Sequence, residues 1–281
     1  MTMPDDSGAH AAELRVARAL AREAADLVMK LRGGDASLLA VEMKPGDEPV
    51  TIADRAASDL IVNGLIAAFP DDVVISEERA DQAARLTARR CWYVDPIDGT
   101  KDFIRGREGF AVMIGLCVDG VPVVGVVHQP TSHRAFWAAD GAAFTADGDG
   151  APHPLAVSAV REPNAIRLVA SKSHRSDTID RVKELLGVTD ELNIGSVGLK
   201  LCLIAAGERD LYVNPWPKCK AWDTCAPEAI LVAAGGVLTD TRGAALRYDE
   251  EELGRLGGLI ASNRHVHADV VTRLATLFPH T

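Results

Sequence analysis

The sequence predicts a mixed α/β fold of the α+β kind, in which an antiparallel sheet leads and an alternating region follows. Three observations predict it. Two apolar runs, Phe110 to Val118 and Val121 to His128, flank Asp119-Gly120, a two-residue hairpin turn signal; Arg134 to Ala138 offers a third strand, and the three make an antiparallel meander. From Arg167 onward, strands and helices alternate instead. The pattern changes between Pro152 and Pro163, so an N-terminal lobe over residues 1–160 and a C-terminal lobe over residues 161–281 are expected. With 281 residues and 47% apolar content the chain can bury one large core or two lobes, and length alone does not choose.

The elements follow in order. Leu20, Ala24, Leu27, Val28 and Leu31 recur at helical spacing and stop at Gly33-Gly34. A loop rich in charge and turn formers is expected from Met43 to Pro49. The next helix opens at Thr51-Ile52-Ala53-Asp54, shows Ala57, Leu60, Ile61, Leu65 and Ala68 on one face, and ends at Phe69-Pro70. Val73-Val74-Ile75 and Cys91-Trp92-Tyr93-Val94 are short apolar runs that fit buried strands. In the second half the pattern gives a strand from Arg167 to Ala170, helices near Thr178 to Leu186 and Leu199 to Ala206, and a strand from Leu211 to Val213. A helix from Thr224 to Ala234 follows, then further strands and a last helix. There is no internal repeat.

Bulk properties exclude several classes of function. A net charge of -10 argues against general affinity for nucleic acid, which rests on clustered Lys and Arg neutralising backbone phosphates. The first twenty residues carry acids where a signal peptide needs a basic region, and no apolar segment approaches the roughly 18 residues of a membrane span. The five cysteines are odd in number and lack CxxC pairs, which reads as reduced thiols in a cytoplasmic protein.

The sharpest local signal is Tyr93-Val94-Asp95-Pro96-Ile97-Asp98-Gly99-Thr100, an apolar strand that runs into two acids, a Pro and a Gly. Asp95 and Asp98 can both face one cation across a turn that Pro96 stiffens and Gly99 permits, with the Ile97 carbonyl as a further oxygen. Oxygen-only ligation suits magnesium rather than zinc. The bland reading is a turn whose acids cap a helix, and in isolation it would be preferred. Ser76-Glu77-Glu78 puts more acids at a second strand end, though a Glu pair alone is usually a solvated loop. Thr51 to Asp54 matches a capping box, and Asp223, before Pro227 and Glu228, could equally cap a helix whose first turn holds both. Four or five acids at strand ends repel one another unless cations balance them, and no purely structural reason for gathering them is apparent.

Taken in order, these four segments resemble the inositol monophosphatase family of magnesium-dependent, lithium-inhibited phosphatases, from about Met43 to about Asp240. Within it the chain looks most like adenosine 3',5'-bisphosphate nucleotidases. The grounds are Lys101-Asp102-Phe103, Ser171-Lys172-Ser173-His174, Gly195-Ser196-Val197-Gly198-Leu199-Lys200, and the run from Trp222 to Glu228. Ser76 stands where inositol phosphatases usually have Gly, and Ala226-Pro227-Glu228 replaces their Ala-Gly segment.

The resemblance implies a layered αβαβα sandwich and an enzyme that hydrolyses adenosine 3',5'-bisphosphate to AMP and phosphate. It implies that Glu77, Asp95, Asp98, Asp223 and the carbonyl of Ile97 hold two or three magnesium ions, which also bind the scissile phosphate. Asp54 and Thr100 would orient and deprotonate the attacking water. Gly99, Thr100, Ser171, His174, Ser196, Lys200 and Asp223 would contact the substrate, with Lys200 facing the phosphate that is not cleaved. His174 as a plain surface histidine and Lys200 as an exposed helix lysine are the bland alternatives. The expected partner is a small phosphate ester, with no nucleic acid and no membrane, and the protein a monomer or homodimer. Inositol monophosphatase or fructose bisphosphatase activity with the same metal chemistry is the alternative. A catalytically silent nucleotide or metal sensor is the reading from another class.

Overall fold

The computed structural model describes residues 8–33, 41–44, 48–171 and 177–278. The chain opens with α1 (Ala11–Arg32), a short ribbon of β1 (Glu42–Lys44) and β2 (Glu48–Val50), and α2 (Ile52–Ala68). A seven-stranded sheet follows: β3 (Val73–Ser76), β4 (Arg90–Asp98), β5 (Ala111–Val118), β6 (Val121–Gln129), β7 (Arg134–Ala139), β8 (Ala142–Asp147) and β9 (His153–Pro154), in that spatial order. The short α3 (Thr100–Ile104) interrupts it after β4. The second half supplies β10 (Arg167–Ser171), α4 (Asp177–Leu186), β11 (Asp190–Ile194), α5 (Val197–Ala205), β12 (Leu211–Asn214), α6 (Ala221–Ala233), β13 (Gly236–Thr239), β14 (Leu259–Asn263) and α7 (His267–Leu274). Its strands form a five-stranded sheet in the order β11-β10-β12-β14-β13.

Alternation of side chains along the strands stacks these elements in layers. One face of the large sheet (Val112, Ile114, Leu116, Val124, Val126) packs against α1 and α2 through Ala17, Ala21, Val28, Ile61 and Leu65. The other face (Ala111, Met113, Val127, Phe136) packs against α5 and α6, which also meet Val169, Tyr212, Leu259 and Ala261 of the small sheet. Beyond that sheet α4 and α7 close the far side through Ile179, Val182, Val270 and Leu274. The result is the αβαβα sandwich. The change of sheet falls between Pro154 and Arg167, and the apolar cluster around α5 and α6 is common to both sheets.

Several elements differ from the sequence reading. The stretch read as a loop from Met43 to Pro49 carries the β1–β2 ribbon, whose three-residue strands are too short and too polar to leave an alternating signal. β8 and β11 were not expected; the latter, Asp190–Ile194, is a polar edge strand that pairs only with β10. α6 starts at Ala221 instead of Thr224, so Pro227 lies inside the helix and not in its first turn. The cause is Asp223, whose Oδ2 accepts from the backbone N–H of Lys220 at 2.6 Å and thereby starts the helix early.

Candidate active site

β4 delivers the first two acids. Its nine residues are almost wholly buried and pair in register with β5 until the pairing shifts between Asp95 and Asp98, where Pro96 has no N–H to give to the ladder. Asp95 Oδ1 accepts from the N–H of Ile97 at 3.0 Å, which fixes the turn. Gly99 then takes a φ of +99°, and a Cβ there would stand 2.7 Å from the carbonyl oxygen of Gly109, so only glycine fits.

Tertiary packing adds the rest. The carboxylate oxygens of Asp95, Asp98 and Asp223 lie within 4.8 Å of one another. Glu77, placed by a hydrogen bond from its N–H to Val94 at 3.1 Å, lines the same cavity. Burial pushes the Asp95 carboxyl well above its ordinary range, and the charges of Glu77, Asp98 and Asp223 push it further. Burial also raises Glu77 to about 8; Lys44, 3.1 Å from it, opposes this, while Asp223 and Glu78 add to it. Asp98 is raised by burial too, against the nearby charge of Lys200. A close, largely buried, all-oxygen donor set in which Glu77, Asp95 and Asp98 resist ionisation fits a hard divalent cation, which would relieve that repulsion.

Asp98 is held from the second half of the chain. Its Oδ2 accepts from Ser196 Oγ at 2.5 Å and from the N–H of Gly198 at 2.7 Å, while Ser196 Oγ caps α5 by accepting from Leu199 at 3.0 Å. Ser196 is fully buried and is directed to Asp98. Lys200 is 1% exposed, which removes its reading as an exposed helix lysine. Its Nζ donates to the carbonyls of Gly195 and Ser196 at 2.7 and 2.9 Å and lies 5.0 Å from the Tyr212 ring centroid. Burial lowers its pKa to about 8 despite Asp98.

At the start of α2, Thr51 and Asp54 form the capping box: Thr51 Oγ1 accepts from Ala53 at 3.1 Å, and Asp54 Oδ2 accepts from the Thr51 N–H at 2.8 Å. The other oxygen, Asp54 Oδ1, faces Thr100 Oγ1 at 3.4 Å, and Thr100 also reaches the carbonyl of Ile97 at 3.1 Å. Burial raises Asp54 to about 6, with the Thr51 hydrogen bonds working against it.

These groups surround a cavity of about 210 Å³, lined among others by Glu77, Asp95, Ile97, Asp98, Gly99, Thr100, Ser171, Lys200 and Asp223. His174 lies outside the described residues. The sequence reading missed part of the wall: Lys101, Tyr212, Asn214, Trp216 and Lys218 line it too. Trp216 is 43% exposed, held by its N–H donating to Asn214 Oδ1 at 3.1 Å. A Trp between two prolines, a few residues ahead of the Trp222-Asp223 segment, was the available signal.

The inositol monophosphatase family model matches residues 11–277. The 3'(2'),5'-bisphosphate nucleotidase CysQ of Salmonella typhimurium is 39% identical over 234 residues, 83% of this chain and 92% of that protein. The histidinol-phosphatase of Mycobacterium tuberculosis is 37% identical over 266 residues, 93% of this chain and 97% of that one. The crystal structure of CysQ from Bacteroides thetaiotaomicron matches with a TM-score of 0.74 and 27% identity, covering 90% of this chain and 97% of its own. With its layered sandwich and its acids gathered at one cavity, the chain belongs to the inositol monophosphatase family of phosphatases.

Proposed function

We propose that the protein is a magnesium-dependent nucleotidase that converts adenosine 3',5'-bisphosphate to AMP and phosphate. The observation that carries this reading is the composition of the cavity wall, which joins an acid cluster to Lys200, Lys218, Tyr212 and Trp216. A bisphosphorylated nucleoside needs both, since the cleaved phosphate wants cations while the second phosphate and the base want lysine and an aromatic face. The similarity to CysQ at 39% identity supports it.

Glu77, Asp95, Asp98, Asp223 and the Ile97 carbonyl would hold the magnesium ions, two or three of them. When bound, the ions would neutralise phosphate oxygens and acidify the attacking water. The chain's own residues do the positioning. Thr100 Oγ1 accepts a hydrogen bond from the attacking water and directs its own proton to Asp54 Oδ1, and Asp54 stays ionised because Thr51 donates to its other oxygen. Ser196 and Gly198 fix the rotamer of Asp98. Ser171, Gly99 and Lys200, and by the resemblance His174, would contact the nucleotide.

The similarity to a histidinol-phosphatase favours a second reading, a monophosphate bearing an imidazole. Inositol phosphate and fructose bisphosphate would make no use of the aromatic wall. Phosphate release should be measured side by side on adenosine 3',5'-bisphosphate, inositol phosphate, fructose 1,6-bisphosphate and histidinol phosphate, in magnesium, with and without lithium. Highest kcat/KM for the nucleotide is expected. Preference for any other substrate would overturn the assignment, and turnover unchanged in Asp98→Ala would overturn the site. Absence of turnover on all four would favour the sensor.

A further inference from the structure

A second cavity, of about 350 Å³, lies away from the catalytic one, and the lining residues of the two do not overlap. Its walls are α1 and the segment around the β6–β7 turn, and they carry Arg15, Arg18, Arg22, His128 and His133 with Val126, Ala135 and Gly148. Among the described residues no acid lines it, though Asp149 pairs with Arg22 beside it, in a chain whose net charge is -10. The spacing of 15, 18 and 22 puts the three arginines on one flank of α1, beside the buried Leu14, Ala17 and Ala21 that face the sheet.

That arginine stripe is not simply a solvated helix face. The Arg18 guanidinium lies 3.9 Å from the ring centroid of Trp137, so it is stacked in place and cannot swing away freely. Arg22 pairs with Asp149 at 2.7 Å, but the two side chains are 61% and 81% exposed, and such a pair is weak enough for a better anion to replace it. His128, 7% exposed, rises from β6 into the cavity and its ring has no hydrogen-bond partner among the described residues. Burial, with help from His133 and Arg22 and against Asp26, lowers its pKa to about 4, so it stands neutral at pH 7 with one N–H to donate. An imidazole N–H that opens into a cavity walled by three guanidinium groups suits an oxygen acceptor with negative charge.

We propose that this cleft is a second ligand site, taking a small oxyanion of the phosphate or diphosphate type, either free or as the end of a nucleotide. Arg15 and Arg22 close on its oxygens from α1, Arg18 supplies fixed charge, and His128 donates from the sheet. A volume of about 350 Å³ has room for a diphosphate. This inference does not depend on which phosphate ester the enzyme hydrolyses.

The test uses the full chain stripped of metal, in which the acid cluster repels anions. Inorganic pyrophosphate and ADP are titrated in separate arms by calorimetry, with the His128 ring protons followed by NMR. One saturable site is expected, with a shift of the His128 signals; pyrophosphate alone binding identifies a free anion, and tighter binding of ADP identifies a nucleotide end. Arg15→Gln with Arg22→Gln, both at exposed positions, should weaken binding by about tenfold or more per guanidinium while melting temperature stays constant. Lys218→Ala, at the catalytic cavity, should leave this anion binding unchanged. No saturable binding at millimolar anion would overturn the proposal. So would binding that survives the arginine substitutions, or that Lys218→Ala removes.

Discussion

Thr51, Asp54 and Thr100 explain how one side chain can satisfy a structural and a chemical demand together. The capping box uses only one oxygen of Asp54, and that anchoring leaves the other aimed at Thr100. Thr100→Val should therefore lower kcat by about 10²–10⁴ with little change in KM, while the lost hydrogen bond to the Ile97 carbonyl costs the fold only about 1 kcal/mol. Asp98→Asn keeps its shape but not its charge, and magnesium titration should show weakened binding along with lost turnover. For Trp216→Ala the expected change is in KM: about tenfold higher for a nucleotide substrate, the loss of roughly 1–3 kcal/mol of base stacking. An unchanged KM would mean that the base sits elsewhere.

α6 carries Asp223, and its placement depends on two glycines of the large sheet. A Cβ on Gly125 would stand 2.1 Å from the carbonyl oxygen of Ala226, and one on Gly115 would stand 2.7 Å from the Ala226 nitrogen. Gly125→Ala should cost about 1–3 kcal/mol in a denaturant titration and lower activity as well, because a helix pushed off the sheet takes Asp223 with it. The same helix holds Glu228, whose Oε2 accepts from the Tyr248 hydroxyl at 2.5 Å. Burial raises this carboxyl from 4.5 to about 7, against Tyr248 and Arg255. Between those pH values the fold keeps a proton that the unfolded chain has released, so this group's contribution to stability falls as pH rises through that window. Glu228→Gln keeps the fold neutral there. Its melting temperature should fall less between pH 5 and pH 8 than that of the parent protein.

Across the whole molecule, the acid cluster is where the fold stores repulsion that a ligand can remove. Adding magnesium should raise the melting temperature, with about 2.7 kcal/mol gained at a hundredfold excess over Kd, and a chelator should reverse it. No described helix is long and apolar enough to cross a membrane. The local chemistry was legible in the chain itself: the strand into Asp95-Pro96-Ile97-Asp98, the capping box at Thr51, the second strand end at Glu77 and the hairpin at Asp119-Gly120 are each set by neighbours in sequence. Those signals depend on backbone geometry and periodicity within a few residues, which sequence displays directly. Folding alone decided that Ser196 turns to Asp98, that Lys200 is buried against Tyr212, that Trp216 borders the cavity, and that three arginines of α1 face His128. These contacts join segments from about a dozen to about a hundred residues apart, and the packing of whole layers, which no short stretch encodes, brings them together.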